Sequence, residues 1–193
     1  FLLSLSSGIQ SYGYLVVIFL GLLVFLWKRL DKDPASKLKK DGFLLSLPMM
    51  GTLILYKDCA VFARTLGALL GAGIPLIRAL RVSREVVGNT VLSAHLIQVE
   101  EDVRGGTGLG ASLEKTKQFP TLLHQLVAVG EESGRTANIL LKSAATFDTA
   151  VRNQVSSLVA ALQPALIIFL AIAVGGITIT MLSAVFSMNA VEF

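Results

Sequence analysis

The pattern of hydrophobic and polar positions divides the chain into three stretches. Residues 1–27 carry no charged side chain, and neither do residues 153–191. A bilayer core takes roughly 20 apolar residues in a helix. Ile9 to Trp27 and Pro164 to Phe186 both meet that length, which predicts a transmembrane helix at 9–29 and a second one within 153–187. Between them apolar residues recur at helical spacing, with Phe62, Leu66, Leu69 and Leu70 on one face. No strand-type alternation is visible anywhere.

Breakers and caps divide the middle stretch further. Asp31 to Ser36 reads as a polar hinge. The apolar pieces Phe43 to Leu47 and Leu53 to Tyr56, punctuated by Gly42, Pro48 and Gly51, read as a lead-in lying against the domain or the membrane surface, so 30–57 is a linker. Asp58 is a good N-cap for a helix reaching Leu70. Pro75 suits the start of the next helix, to about Val87. Thr90 caps a third, to Arg104, and Gly105 to Gly110 make a flexible turn. Ser112 caps a short helix to Gln118, Phe119-Pro120 breaks it, and Leu122 to Glu132 follows. Thr136 starts the last helix, which runs through Arg152 towards Pro164, where the missing N–H predicts a kink. Short connections favour antiparallel neighbours. The predicted architecture is an all-α membrane protein: an antiparallel helix bundle at 58–152 flanked by two transmembrane helices, with 1–8 and 188–193 at the opposite membrane face.

Composition and charge orient this picture. Apolar residues make up 53% of the 193 and charged residues 16%, against roughly a quarter charged in soluble domains. All 17 Lys and Arg, and every acidic residue except Glu192, fall between Lys28 and Arg152. Lys28, Arg29, Lys32, Lys37, Lys39 and Lys40 follow the first apolar run directly. The positive-inside rule therefore makes residues 30–152 cytoplasmic and sends both termini to the periplasm of an inner membrane. The same basic excess is explained by topology and anionic lipid, not by nucleic acid. A signal peptide would carry its basic residues ahead of the apolar run. The single Cys59 can form no intrachain disulfide, which suits a reducing cytoplasm. The chain begins at Phe1, so further sequence is expected upstream.

Candidate chemistry is sparse. The turn Gly105-Gly-Thr-Gly-Leu-Gly110 lacks the Gly-Lys-Ser/Thr ending of a phosphate loop and follows no strand, so no nucleotide or other cofactor is expected. His95 and His124 have no close partner at metal-ligand spacing, and no nucleophile is paired with a base. No catalytic or metal-binding residue is assigned, and the chain is not expected to be an enzyme. Neither apolar run, Ile9 to Trp27 or Pro164 to Phe186, carries Asp, Glu, Lys, Arg or His, which disfavours a transporter subunit with a cytoplasmic regulatory domain. Ser157 with Ala161, and Ala171 with Gly175, are small residues at helical spacing that would let helices approach closely in lipid. Glu100-Glu101-Asp102 ends one helix and Gly130-Glu131-Glu132-Ser133-Gly134 ends another. Carboxylates at a helix C-terminus are unfavourable, which suggests that something supplies compensating positive charge. Gly134 is placed to adopt the left-handed closing conformation.

These motifs carry a resemblance. Phe62-Ala-Arg-Thr-Leu66, then Leu69-Leu70, Gly73-Ile-Pro-Leu76 and Ala79-Leu80, then Phe119-Pro120 with Gly130-Glu-Glu-Ser-Gly134, then Gln163-Pro164, together resemble the type II secretion system F-domain family over about Leu47 to Asn189. These are inner-membrane platform proteins of type II secretion systems and type IV pilus machines. Thr136 stands where the family often has Leu, and Ser183-Ala-Val-Phe186 lacks its frequent proline. The closing Phe186-Ser-Met-Asn189 is more similar to the secretion branch. The resemblance implies an upstream copy of the helical domain and another span. It implies a platform that couples a hexameric ATPase to pseudopilins for protein export, alongside other inner-membrane components and as a homo-oligomer. The equivalent protein of a type IV pilus or DNA-uptake machine is the alternative. Arg64, Glu131, Glu132 and Gly134 are the expected contact residues.

Overall fold

The computed structural model describes residues 34–189; the predicted first span, residues 1–8 and residues 190–193 lie outside the described residues. Among the described residues all regular structure is helical: α1 Pro34–Ser46, α2 Met50–Gly71, α3 Leu76–Glu85, α4 Thr90–Arg104, α5 Leu109–Thr116, α6 Thr121–Glu132 and α7 Thr136–Asn189. The described residues divide between two compact units, 34–155 in one and 156–189 in the other.

The first unit closes around a core drawn from six helices. Phe62, Leu66, Leu80, Leu92, Leu96, Leu113, Leu123, Val127 and Leu140 are all buried. Phe62 stacks on Phe119 at 6.4 Å between ring centroids, and Tyr56 meets Phe147 at 5.7 Å. Each such apolar side chain contributes about 1.5–3 kcal/mol on leaving water. Close backbone approach supplies the rest of the fit. A Cβ on Gly67 would sit 3.0 Å from the Ala137 carbonyl oxygen, and one on Gly51 would overlap the Leu45 carbonyl. Glycine is therefore what lets α2 meet α7 and α1.

Several local expectations change. α2 begins at Met50, so Asp58 is no cap; it lies buried in mid-helix and accepts the Asn89 backbone N–H at 2.8 Å. Asn89, not Thr90, caps α4, its Oδ1 accepting from the backbone N–H groups of Val91 (3.0 Å) and Leu92 (3.2 Å). The Thr90 hydroxyl donates instead to Asp41 at 2.7 Å, and the Thr90 backbone N–H donates to the same oxygen at 2.8 Å. Asn89 Nδ2 donates to the Asp41 carbonyl at 3.2 Å. This buried polar cluster ties α1 and α2 to the start of α4. Ser112 is likewise inside α5, donating to the Gly108 carbonyl at 2.8 Å. No buried side-chain nitrogen or oxygen among the described residues lacks a partner, as a low-dielectric interior requires.

In the second unit α7 continues through Pro164 as helix. From Val159 to Leu182 it exposes large apolar side chains on all sides, among them Leu162, Leu166, Phe169, Ile172, Ile179 and Met181. It is the one helix among the described residues long and apolar enough to cross a membrane. Two of its threonines bond back to their own helix: Thr178 donates to the Val174 carbonyl at 2.9 Å and Thr180 to that of Ile177 at 2.7 Å. That arrangement suits a medium with no water to offer.

Candidate partner-contact site

The turn between α6 and α7 is where the sequence motif Gly130 to Gly134 lies, and its geometry is that of a built joint. Gly134 takes φ +66°. The Arg135 N–H donates to the Gly130 carbonyl at 2.9 Å, and the Gly134 N–H to that of Glu131 at 3.3 Å. This is the two-bond closure that a left-handed residue after a helix allows. A Cβ on Gly130 would lie 3.0 Å from Thr136 Cα, so glycine lets the end of α6 meet the start of α7. The Ser133 hydroxyl donates to the Val129 carbonyl at 2.7 Å.

Glu131 reaches across to a third element. Its Oε1 accepts the Leu109 backbone N–H at 2.6 Å and its Oε2 that of Gly110 at 2.9 Å. α5 starts behind Gly108, which has no side chain with which to cap it. Glu131 therefore does the work of a capping residue from another helix. Its charge, unfavourable at the C-terminus of α6, sits on the positive N-terminus of α5. Gly110 makes this possible: a Cβ there would lie 2.8 Å from the Ala128 backbone nitrogen. Gly105 to Gly110 is thus only partly a turn, since α5 already includes Gly110.

Two clefts flank the joint. One, of about 300 Å³, is lined by Leu70, Leu76, Glu131, Gly134, Thr136 and Ala137. The other, of about 530 Å³, is lined by Ser133, Arg135, Asn138, Ile139, Leu141 and Lys142. Glu132 is exposed beside them. The surface thus combines an apolar floor with charges of both signs.

Of the sequence candidates, Glu131, Glu132 and Gly134 come together here. Arg64 lines neither cleft; half-exposed, it pairs with Asp148 and ties α2 to α7. In the second unit Ser157, Ala161 and Ala171 are exposed, and nothing lies within 4 Å of a Cβ placed on Gly175. The acidic run on α4 is also answered within the fold. Glu100 is buried, with Arg81 at 3.1 Å and Arg104 at 2.7 Å, and Asp102 pairs with Lys115 at 3.3 Å. The cluster of Asp41, Asp58, Asn89 and Thr90 was not foreseen; the only sequence signal for it is Asn following Gly88 at a helix start. Burial pushes the Cys59 thiol well above its ordinary range, and the neighbouring Asp58 charge adds to it. Cys59 is a core residue, not a nucleophile.

Comparison with known proteins gives this arrangement its class. The sequence profile of the type II secretion system (T2SS) protein F family matches residues 62–184, and the chain belongs to that family. It is 35% identical over 162 residues to the type II secretion system protein F of Xanthomonas campestris, covering 84% of this chain and 40% of that protein. It is 32% identical over 189 residues to the type II secretion system protein F of Pseudomonas aeruginosa, covering 97% and 46%. It is also 31% identical over 188 residues to the type IV pilus assembly protein PilC of the same organism, covering 96% and 50%. The chain spans about half the length of the curated relatives it matches.

Proposed function

We propose that this chain is a non-enzymatic platform component of a type II secretion system in the bacterial inner membrane. Family membership over residues 62–184 carries the reading. Residues 9–29 and the apolar part of α7 anchor it, and residues 30–152 form an antiparallel cytoplasmic bundle. Confinement of all 17 Lys and Arg between the two uncharged stretches supports that topology. The bundle takes input from a hexameric ATPase and passes it to pseudopilins beside the membrane helices. The joint between α6 and α7, with Glu131, Glu132 and Gly134, is the proposed contact region, with Arg64, paired to Asp148 elsewhere on the bundle, as a separate proposed contact residue. Ser157, Ala161, Ala171 and Gly175 are the proposed packing surface in lipid, towards a further copy or a pseudopilin.

A second reading, the platform of a type IV pilus machine, is favoured by the 31% identity to PilC over 96% of the chain. A deletion strain scored in parallel separates the two. Exoproteins held in the periplasm with surface pili intact mark the secretion role. Lost pili with export intact mark the pilus role. If neither changes, both readings fail.

A further inference from the structure

α1 has two unlike sides. Its inward side is already engaged: Asp41 is 8% exposed with its carboxylate held by the backbone N–H and hydroxyl of Thr90, and Leu45 packs against the core. Asp41 is the only acidic side chain on the helix, against Lys37, Lys39 and Lys40. The outward side carries Lys39, Leu38 at 48% exposure and Phe43 at 62%. The tight turn into α2 exposes Met49 and Met50 as well, Met49 holding φ +68°, a conformation that costs a non-glycine residue roughly 1 kcal/mol or more. A basic helix with exposed aromatic and aliphatic side chains is the composition of a helix lying in a membrane interface.

Chain connectivity brings a bilayer within reach. The uncharged stretch ends at Trp27, and residues 28–33 before α1 extend at most about 20 Å. We propose that α1 and the α1–α2 turn rest on the anionic inner leaflet, Lys39 against lipid phosphates and Phe43, Met49 and Met50 at the acyl boundary. This rests on the reading that residues 9–29 cross the membrane. The polar cluster of Asp41, Asn89 and Thr90 then fixes the bundle to a helix that is itself fixed to the bilayer.

The test uses the full chain in nanodiscs, with Cys59→Ala as background and an environment-sensitive fluorophore on a cysteine at one of three positions. Phe43→Cys reports the proposed footing, Lys117→Cys an exposed turn, and Ile172→Cys the apolar helix. The expected result at position 43 in phosphatidylglycerol-containing nanodiscs is quenching by headgroup-proximal spin-labelled lipid. Acrylamide access there should be at least about twofold lower than at position 117, and that shielding should be lost in pure phosphatidylcholine and weakened by Lys39→Gln. Position 43 as open to acrylamide as position 117, with position 172 embedded, overturns the footing and leaves the membrane reading standing. Position 43 shielded from acrylamide but not quenched by labelled lipid means that protein covers α1, which also overturns it. Shielding that ignores lipid charge overturns it too. Position 172 open to water would remove the membrane reading and this inference together.

Discussion

The two hydrogen bonds from α5 to Glu131 give the most decisive structural prediction. In Glu131→Ala the N–H groups of Leu109 and Gly110, now held at 2.6 Å and 2.9 Å, lose their acceptor. Leu109 is fully buried, so water replaces the carboxylate poorly. A hydrogen bond to a charged acceptor contributes about 1.5–3 kcal/mol. Taking the lower figure, because Glu131 is only half-buried, two bonds amount to about 3 kcal/mol, on the order of a hundredfold in the opening equilibrium of α5. Hydrogen exchange on the full chain in nanodiscs reads this directly: peptides covering 109–116 should exchange on the order of a hundredfold faster. Glu131→Gln keeps one acceptor oxygen and loses the charge, so its increase should be nearer tenfold. The exposed neighbour Glu132→Ala should leave the same peptides unchanged. Exchange in Glu131→Ala within about twofold of the unsubstituted protein would refute the capping argument.

Other substitutions follow from the same geometry. Gly110→Ala forces α5 off α6, because the new Cβ meets Ala128 backbone at 2.8 Å; a cost of about 1–3 kcal/mol should lower the thermal midpoint by several degrees, while Gly175→Ala, with open space around it, should not. Asn89→Ala removes the α4 cap and the bond to the Asp41 carbonyl, costing about 2 kcal/mol, seen as faster exchange at Val91 and Leu92. Cys59 should resist a maleimide at pH 8 and react only after denaturation. Because its folded thiol titrates above the ordinary 9.0, its contribution to stability is complete below that value and is lost as pH rises beyond it; Cys59→Ala should flatten the alkaline side of the stability profile.

Much of the architecture is legible because it depends on local chemistry. Pro75 and Pro120 precede helices, Gly134 closes one, and Phe62 with Leu66 faces the core. What sequence reading gets wrong depends on partners far along the chain. Asp58 has the composition of a cap, but its acceptor oxygen is used by Asn89, 31 residues away. Gly110 reads as flexibility, whereas it is needed for close approach to Ala128. At the joint, the sequence marks two carboxylates at a helix C-terminus, where positive charge would be favourable. It cannot reveal that for Glu131 the N-terminus of α5 supplies it, since a helix dipole has no residue type. Glu100 is similar: an acidic run looks solvated until Arg81, from the preceding helix, lies against it. Glu132 stays exposed, the one charged side chain of the motif not engaged across the joint as Glu131 is.

The division of labour between these two adjacent carboxylates can be tested in the cell. A secretion-defective deletion strain is complemented with the full-length gene carrying Glu132→Lys, and exoprotein in the medium is measured against the amount of platform protein in the membrane. The account predicts normal protein levels with exoprotein retained in the periplasm. Export at the unsubstituted rate, from the same amount of Glu132→Lys protein, would contradict the claim that this joint meets a partner in the secretion machine.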